Sequence, residues 1–232
     1  FVGRIGQLRE ILNSFELGVG DRLPIAVDEM HSAPAFAIRR KDVPGIGLAI
    51  SLVVPRKLSD AENEAMSLLN HILNGTLHSR IQGEARRCGL LYYMWSQLST
   101  FEHNSSWDFG AQVSVSNLPA VVDLVTNEMQ RVKDGLVDET ELAEAKSYAM
   151  GRYQMGTQTV GQIAGWLADR YFFDGVIDDF SAVPARINAI SPEQIIETAR
   201  DIIRHNCWTL GLYGSTDKTM ADQLYDRFAK LF

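Results

Sequence analysis

Residues 79–96 read SRIQGEARRCGLLYYMWS, in which a helical pattern and a strand pattern meet at one glycine. Ser79, followed three residues later by Gln82, is typical of a capping box, so a helix is predicted from Ser79 to about Arg87. Its apolar members are Ile81, Ala85 and Cys88. The segments LYYMWSQLSTF and WDFGAQVSV follow and predict two long strands joined by the polar turn EHNSS. The stretch therefore predicts a helix that leads into a hairpin.

Two arginines precede the glycine at this junction, Gly89, and two tyrosines follow it. Arg86 and Arg87 lie off the apolar face of the predicted helix, so we expect their forked guanidinium groups to reach carbonyl or carboxylate oxygens near the helix end. Tyr92 and Tyr93 are expected on opposite faces of their strand, so only one of them can share a cavity with a given arginine. Local chemistry alone favours the structural alternative, in which the arginines are a surface pair stabilised by the helix dipole and the tyrosines pack on the sheet.

The segment before this stretch predicts a hairpin and a capped helix. Two strand-like runs, residues 35–40 and 47–54, are separated by the turn pattern KDVPG, and a hairpin is the simplest arrangement. In the second run large apolar residues alternate with small ones, so one face is expected to pack against helices and the other to face solvent. Ser59 and Glu62 form the pattern of a capping box, and Gly75 is the expected stop of that helix.

The segment after the second hairpin is mostly helical. A helix is predicted from Asn117 to about Gly135, a second is opened by Asp138 and Glu141 as a capping box, and another spans Val160 to Tyr171. A further helix begins at Ser191 with Pro192 at its first position and Gln194 closing the box, and the last elements are the strand CWTLGLYG and a helix across residues 217–228. The order ββααββαα, followed by helices and a final strand, predicts an α+β fold in which helices cover one face of an antiparallel sheet.

The first thirty residues read as a separate piece. Apolar residues at helical spacing precede Gly18, Gly20 and Pro24, which predicts one amphipathic helix and a linker. Such a helix suits the end of a preceding domain, which gives residues 1–30 as that end with its linker and residues 31–232 as the main domain. The helix is equally well explained if it packs on the domain that follows. Because the first residue is Phe1, we expect the chain to be part of a longer protein.

The amino-acid composition argues against several classes of function. The 22 Lys and Arg residues against 29 Asp and Glu residues give a net charge of −7, which argues against nucleic-acid binding. No apolar run approaches the roughly 20 residues of a membrane helix, and a signal-peptide pattern is missing, so we expect a cytoplasmic protein without a membrane partner. Cys88 and Cys207 have no metal-binding spacing and are predicted to be buried thiols.

The sequence contains no recognisable catalytic motif. The five histidines do not form HxxEH or a related zinc pattern, and phosphate-binding loops and the GxSxG nucleophile motif are missing. His71 and His78 flank a predicted helix break, so a shared helical face is not expected for them. We therefore predict no catalytic residue and no metal ligand in this chain.

A series of landmarks resembles a known family. Asp60, the loop LNGTLHSRI with Gly75, Ser79 and Arg80, then Arg86, Gly89-Leu90 and a tyrosine at 92 or 93 follow one another in the order typical of pitrilysin-type zinc metallopeptidases. This family includes insulin-degrading enzyme and the mitochondrial processing peptidase, and the likeness is to their C-terminal, non-catalytic half. DGLVDETELAEAKSYAMGRY and INAISPEQIIETARDII are similar to later parts of that half, so the resemblance covers most of residues 35–214.

The resemblance implies an inactive half that encloses peptide substrate against a zinc site in a missing N-terminal half or a homologous partner subunit. Arg86 with Tyr92 or Tyr93 would then bind substrate, holding a backbone carbonyl near the zinc, and the tyrosine would help to stabilise the oxyanion. The family spacing of seven selects Tyr93, whereas the Gly-Leu landmark selects Tyr92 and implies a one-residue deletion at the helix end. KDVPG also lacks the glutamine that the family pattern leads us to expect. A non-proteolytic scaffold or binding subunit of the same fold is the alternative function.

Overall fold

The computed structural model describes residues 5–15, 20, 23, 27, 35–40, 43, 45–177, 179–204 and 207–232. Its strands are β1 (Phe36–Arg39), β2 (Ile46–Val54), β3 (Met94–Thr100), β4 (Ser105–Val113) and β5 (Trp208–Gly214). Its α-helices are α1 (Ile5–Asn13), α2 (Asp60–Asn70), α3 (Arg80–Arg87), α4 (Leu118–Lys133), α5 (Glu139–Gly156), α6 (Val160–Asp174), α7 (Val183–Ala189), α8 (Pro192–Arg204) and α9 (Lys218–Phe228). A π-helical turn, His71–Gly75, follows α2, and short 3-10 turns precede α7 and follow α9. None of the described helices has the length and apolar character to cross a membrane.

The five strands form one sheet in the order β1-β5-β2-β4-β3. Neighbouring strands are antiparallel except β1 and β5, which run parallel. The predicted α+β fold and the hairpin of β3 with β4 are confirmed. The predicted hairpin of β1 with β2 is wrong, because β5 lies between them and takes the backbone hydrogen bonds of β2. The two strands do run in opposite directions, so the turn pattern indicated a reversal of the chain without fixing which strand fills the space beside it.

One face of the sheet carries the core. Along β2, the side chains of Leu48, Ile50, Leu52 and Val54 are buried beneath the helices, as the alternation predicts. The largest buried side chain of β4, Trp107, points to the same side and donates a hydrogen bond to Asn70 of α2 (3.0 Å). Burial of these apolar side chains supplies the main driving force for folding, at about 25 cal/mol per Å² removed from water.

Three of the four predicted capping boxes form at helix starts. The Ser59–Glu62 and Asp138–Glu141 boxes are both formed. Ser191 and Gln194 also exchange hydrogen bonds at the start of α8 (3.3 and 2.8 Å). These caps could be predicted because each needs only residues within one turn of the helix.

Ser79 does not cap α3, although its sequence pattern predicts a capping box. Its hydroxyl accepts a hydrogen bond from the Thr76 amide (2.8 Å) and donates one to the His71 carbonyl (2.8 Å). That carbonyl belongs to the first residue of the π-helical turn, at the C-terminal end of the helix, where carbonyls lack regular helical donors. Gly75 accordingly lies within this turn instead of ending a regular α-helix.

The amphipathic helix α1 keeps its apolar side chains exposed. Leu8, Ile11, Leu12 and Phe15 are each between 56% and 60% exposed. Of the predicted linker, Gly18 and Pro24 lie outside the described residues. The division into residues 1–30 and 31–232 therefore stays a prediction.

Arg80 forms a buried ion pair that joins three helices. Its guanidinium group, 9% exposed, donates to both carboxylate oxygens of Glu141 on α5 (2.8 and 2.5 Å) and to the Leu136 carbonyl (2.8 Å). Nη1 also lies 3.7 Å from a carboxylate oxygen of Glu128 on α4. These contacts hold the pKa of Glu141 below its ordinary value, chiefly through the hydrogen bonds with Arg80. The first residue of α3 is thereby fixed to α4 and α5.

Replacing Arg80 with alanine should lower the free energy of unfolding by roughly 2 kcal/mol, because the partly buried carboxylate of Glu141 would lose its cation and the Leu136 carbonyl its donor. Arg87→Ala is the matched control. Arg87 is exposed and, among the residues that the structure describes, bonds only Glu84 of its own helix, so its loss should leave the unfolding midpoint nearly unchanged. Urea unfolding of both variants checks this, and equal midpoints for Arg80→Ala and Arg87→Ala would contradict it.

A second ion pair makes stability depend on acid pH. Arg56 donates to Glu62 (3.1 and 2.7 Å) and to Asp201 (2.7 Å), which joins the start of α2 to α8. The hydrogen bonds from Arg56 lower the pKa of Glu62 from 4.5 to about 2. A carboxylate whose pKa is lower in the folded protein stabilises the fold above the unfolded pKa, and this stabilisation disappears as pH falls through the folded pKa.

Glu62→Gln should therefore be less stable than the wild-type protein at pH 7, by about 1 kcal/mol since the pair is partly exposed. The difference should shrink between pH 4.5 and pH 2, over the interval in which the wild-type carboxylate becomes protonated. Glutamine keeps the capping geometry, so the change isolates the charge. Urea unfolding across this pH range measures the difference, and a constant gap would refute the assignment.

Candidate functional site

The turn between α3 and β3 has a fixed geometry. Gly89 adopts φ +64°, a conformation that favours glycine, two residues after Arg87, the last residue of the helix. The Leu90 amide bonds the Ala85 carbonyl (2.8 Å) and the Gly89 amide bonds the Arg86 carbonyl (3.0 Å), which together make a Schellman motif. The side chain of Asn117 donates to the carbonyls of Leu90 (3.0 Å) and Gly89 (3.2 Å) from the start of α4. The residues that follow are thereby held in a defined position relative to α3.

Arg86 turns toward Tyr92. Its Nη1 donates to the Tyr92 carbonyl (2.7 Å), and its guanidinium carbon lies 4.8 Å from the centre of the Tyr92 ring. This distance is that of a cation–π contact. Arg87 instead bonds Glu84 with two hydrogen bonds (2.8 and 2.6 Å). The two arginines therefore differ, and the pairing follows the Gly-Leu landmark, which selects Tyr92.

Both tyrosines precede β3, which begins at Met94. Tyr92 is 81% exposed and Tyr93 is 56% exposed. They line the same shallow depression of about 670 Å³, together with Trp95 and Gln112. The prediction that they lie on opposite faces of a strand is wrong, because the chain joins the sheet only after it has left the Schellman turn.

The face of the sheet opposite the core has an apolar row across all five strands. Trp95, Gly110, Ala49, Gly211 and Phe36 are consecutive cross-strand neighbours from β3 to β1. The rings of the two edge aromatics lie over the glycines, since a Cβ added at Gly110 would be 2.2 Å from the Trp95 ring and one at Gly211 would be 2.4 Å from the Phe36 ring. Trp95 is 42% exposed and Phe36 is 49% exposed. We call this surface, centred on the row, the open face.

A polar row lies beside the apolar one on the open face. Gln97, Asp108, Ser51 and Thr209 are cross-strand neighbours on β3, β4, β2 and β5. Asp108 accepts hydrogen bonds from the hydroxyls of Ser51 and Ser106, the latter at 2.7 Å. The Thr209 hydroxyl is buried without a hydrogen-bond partner among the described residues. The open face therefore offers apolar contact and hydrogen-bonding groups in adjacent rows.

A metal site is not found in the part of the chain that the structure describes. There, no three His, Cys, Asp or Glu side chains lie close enough together to hold an ion. His71 packs against the Tyr148 ring with centroids 4.7 Å apart, and burial lowers its pKa. His31 and His205 lie outside the described residues. The described residues thus do not fit a zinc ion.

The two cysteines differ from the prediction of buried thiols. Cys88 is exposed at the end of α3, where its thiol bonds Glu84 (3.1 Å), and Cys207 is partly buried. The apolar spacing that included Cys88 fails because the helix ends at Arg87, so residue 88 leaves the buried face. The hydrogen bond with Glu84 raises the pKa of the Cys88 thiol.

Sequence reasoning missed four residues that shape this region. Asn117 appeared only as a helix start and Arg80 only as a landmark of the resemblance, although both hold the ends of α3. Trp95 and Phe36 were read as ordinary strand residues. The alternation along β3 would have placed Trp95 on the exposed face, but its position over Gly110 depends on the register with β4.

Comparison with known proteins agrees with this architecture. Three solved structures of similar fold are a protease from Helicobacter pylori (TM-score 0.72, 14% identity, 86% of this chain and 48% of that chain), a peptidase M16 inactive domain from Pseudomonas fluorescens (0.72, 21%, 85% and 48%) and the periplasmic protease PqqL from Escherichia coli (0.66, 14%, 88% and 22%). At these identities the likeness concerns the fold alone. The chain spans about half the length of the first two proteins.

Sequence comparison gives the family. Curated protein sequences yield no match. The profile described as "Peptidase M16 inactive domain" matches residues 9–148, which is more than half of the 232 residues. The pitrilysin family named by the resemblance is confirmed, and the chain belongs to the inactive-domain family of the M16 peptidases.

Proposed function

We propose that this chain is the non-catalytic half of an M16 zinc metalloendopeptidase. It encloses and positions peptide substrate against a zinc site that the complementary catalytic half, or a homologous partner subunit, carries. The contact between Arg86 and Tyr92 at the edge of the open face is the observation on which the proposal rests. The family of inactive domains and the absence of a metal cluster among the described residues support it.

Arg86 is suited to bind a peptide backbone. One of its five donors is used on the Tyr92 carbonyl, and the ring contact fixes the plane of the guanidinium group. The remaining donors have no partner among the described residues and are available to a carbonyl oxygen of a bound peptide. The Tyr92 hydroxyl, on a ring that is 81% exposed, supplies a further donor. A carbonyl held by such fixed donors is polarised, and any negative charge that develops on its oxygen is stabilised.

The open face is suited to extended peptides. Its apolar row offers half-exposed rings that side chains of the peptide can contact. Its polar row, two residues away along each strand, offers hydroxyl, amide and carboxylate groups. An extended peptide alternates its side chains with the same period of two. Tyr93 adds a half-exposed ring at the end of this face nearest Arg86. We assign Arg86, Tyr92 and Tyr93 to substrate binding.

Zinc would supply the activated water for hydrolysis, and the proposal assigns it to the complementary half. In the complete enzyme the substrate is therefore held between the two halves. A cytoplasmic location stays a prediction, and a protein of similar fold from Escherichia coli is periplasmic.

The test is steady-state peptide hydrolysis by the complete enzyme, with this chain and its catalytic half present. Arg86→Ala should lower kcat/KM by about a hundredfold, because a fixed donor to the reacting carbonyl is lost. Tyr92→Phe should lower it by about tenfold with little effect on folding, since only the hydroxyl is removed. Zinc content, measured by inductively coupled plasma mass spectrometry, should not change in either variant.

Arg87→Ala is the matched control, because Arg87 has the same chemistry one residue away and bonds only Glu84 within the described part of the chain. Its kcat/KM should equal that of the wild type. Equal losses in Arg86→Ala and Arg87→Ala would refute the assignment of Arg86. If the complete protein contains no zinc and cleaves no peptide, the scaffold function replaces the enzymatic one.

Substrate contact at the open face can be tested by replacing Gly110 with alanine, which adds one methyl group. In Gly110→Ala the new Cβ collides with the Trp95 ring and must displace it from the sheet, so KM should rise severalfold with a smaller change in kcat. Gly151→Ala is the control, since a Cβ there meets nothing within 4 Å. Its helical position should be stabilised by up to about 1 kcal/mol. Unchanged KM in Gly110→Ala would argue against substrate contact at this face.

A further inference from the structure

A second concave surface lies at the far end of β3 from the tyrosines. It is a cleft of about 770 Å³ between α6 and the turn that joins β3 to β4. The apolar side chains that line it are Leu58, Leu98, Phe101, Trp166 and Phe173. Leu58 is buried, whereas Phe101 and Phe173 are 57% and 63% exposed. We call this surface the α6 cleft.

The α6 cleft is separate from the site around Arg86. The seven residues of β3 place the two sites roughly 20 Å apart at the usual rise of an extended strand. They also lie on different sides of the sheet. Leu98 pairs with Trp107, which faces the helices, whereas Trp95 pairs with Gly110 on the open face. A ligand in the α6 cleft is therefore not in contact with the arginine and tyrosine.

The charges around the α6 cleft are predominantly negative. Four carboxylates line it, from Asp60, Glu102, Asp169 and Asp174, against the cations Lys57 and Arg170 and the imidazole of His103, which lies 4.0 Å from Glu102. Both cations are engaged: Arg170 bonds Asp60 (3.2 and 2.9 Å) and Asp174 (2.5 Å), and Lys57 bonds Asp174. Asp169 has no ionic or hydrogen-bond partner among the described residues. The cleft therefore combines apolar walls with an unneutralised carboxylate.

We propose that the α6 cleft binds a segment of a partner polypeptide in which a large apolar side chain stands next to lysine or arginine. The apolar walls supply area for the side chain, and Asp169 supplies the opposite charge for the cation. The sign of the charge argues against nucleic acid and anionic membrane surfaces as occupants. This proposal does not depend on proteolysis.

Fluorescence anisotropy with the complete protein tests it. The probe is a labelled short peptide with leucine and phenylalanine between arginines, and a second peptide has glutamate in place of each arginine. The arginine peptide should bind at least about tenfold more tightly than the glutamate peptide, and its affinity should fall as salt is raised. Phe173→Ser should weaken binding about tenfold, and Asp169→Asn should weaken it roughly two- to fivefold.

Tyr171→Ser and Asp226→Asn are the matched controls. Tyr171 is 62% exposed on the same helix but outside the cleft, and Asp226 is an exposed carboxylate on α9. Both should bind the arginine peptide like the wild type. Equal affinity for the two peptides overturns the charge argument, and binding that is indifferent to Phe173→Ser and Asp169→Asn overturns the site. Light scattering that shows a dimer lost in Phe173→Ser, without peptide binding, would identify a second copy as the occupant and also overturn the proposal.

Discussion

The buried guanidinium group of Arg80 is the contact on which the candidate site depends. It fixes the first residue of α3 to α4 and α5 through Glu128, Leu136 and Glu141. The other end of α3 is fixed by the Schellman turn at Gly89 and by Asn117. A helix of eight residues held at both ends has little freedom to rotate, so the direction of Arg86 is set by residues that do not touch Tyr92. Losing either support should misplace the pair without removing it.

Local interactions explain which parts of the fold could be predicted. The caps at Ser59, Asp138 and Ser191 depend on partners three residues away, and the alternation along β2 depends only on which side is buried. The position of β5 depends on pairing between strands far apart in the chain, which no turn pattern contains. Ser79 was misread for a related reason, because its hydroxyl bonds the His71 carbonyl of the π-helical turn, a partner that the capping pattern does not contain.

The identity of the candidate site residues could be predicted from the sequence, but their arrangement could not. The resemblance selected Arg86 and a tyrosine, whereas local chemistry alone favoured a surface pair. In the structure the two arginines have different partners. Glu84 bonds Arg87, whereas Arg86 contacts the ring of Tyr92. Because Glu84 lies three residues before Arg87, helical spacing could have indicated this pair. The common position of Tyr92 and Tyr93 could not have been indicated, since it depends on where β3 begins.

The open face near Arg86 and the α6 cleft present opposite charges, because the cations of the two surfaces have different partners. Near the open face, Arg86 bonds a neutral carbonyl, so its positive charge stays available to an oxygen of a ligand. In the α6 cleft, Arg170 and Lys57 bond the carboxylates of Asp60 and Asp174, and the remaining negative charge belongs to Asp169 and Glu102. A bound peptide would therefore present carbonyl oxygens to the first surface and basic side chains to the second. One chain with a net charge of −7 can in this way hold two surfaces of opposite preference on the two sides of a single edge strand.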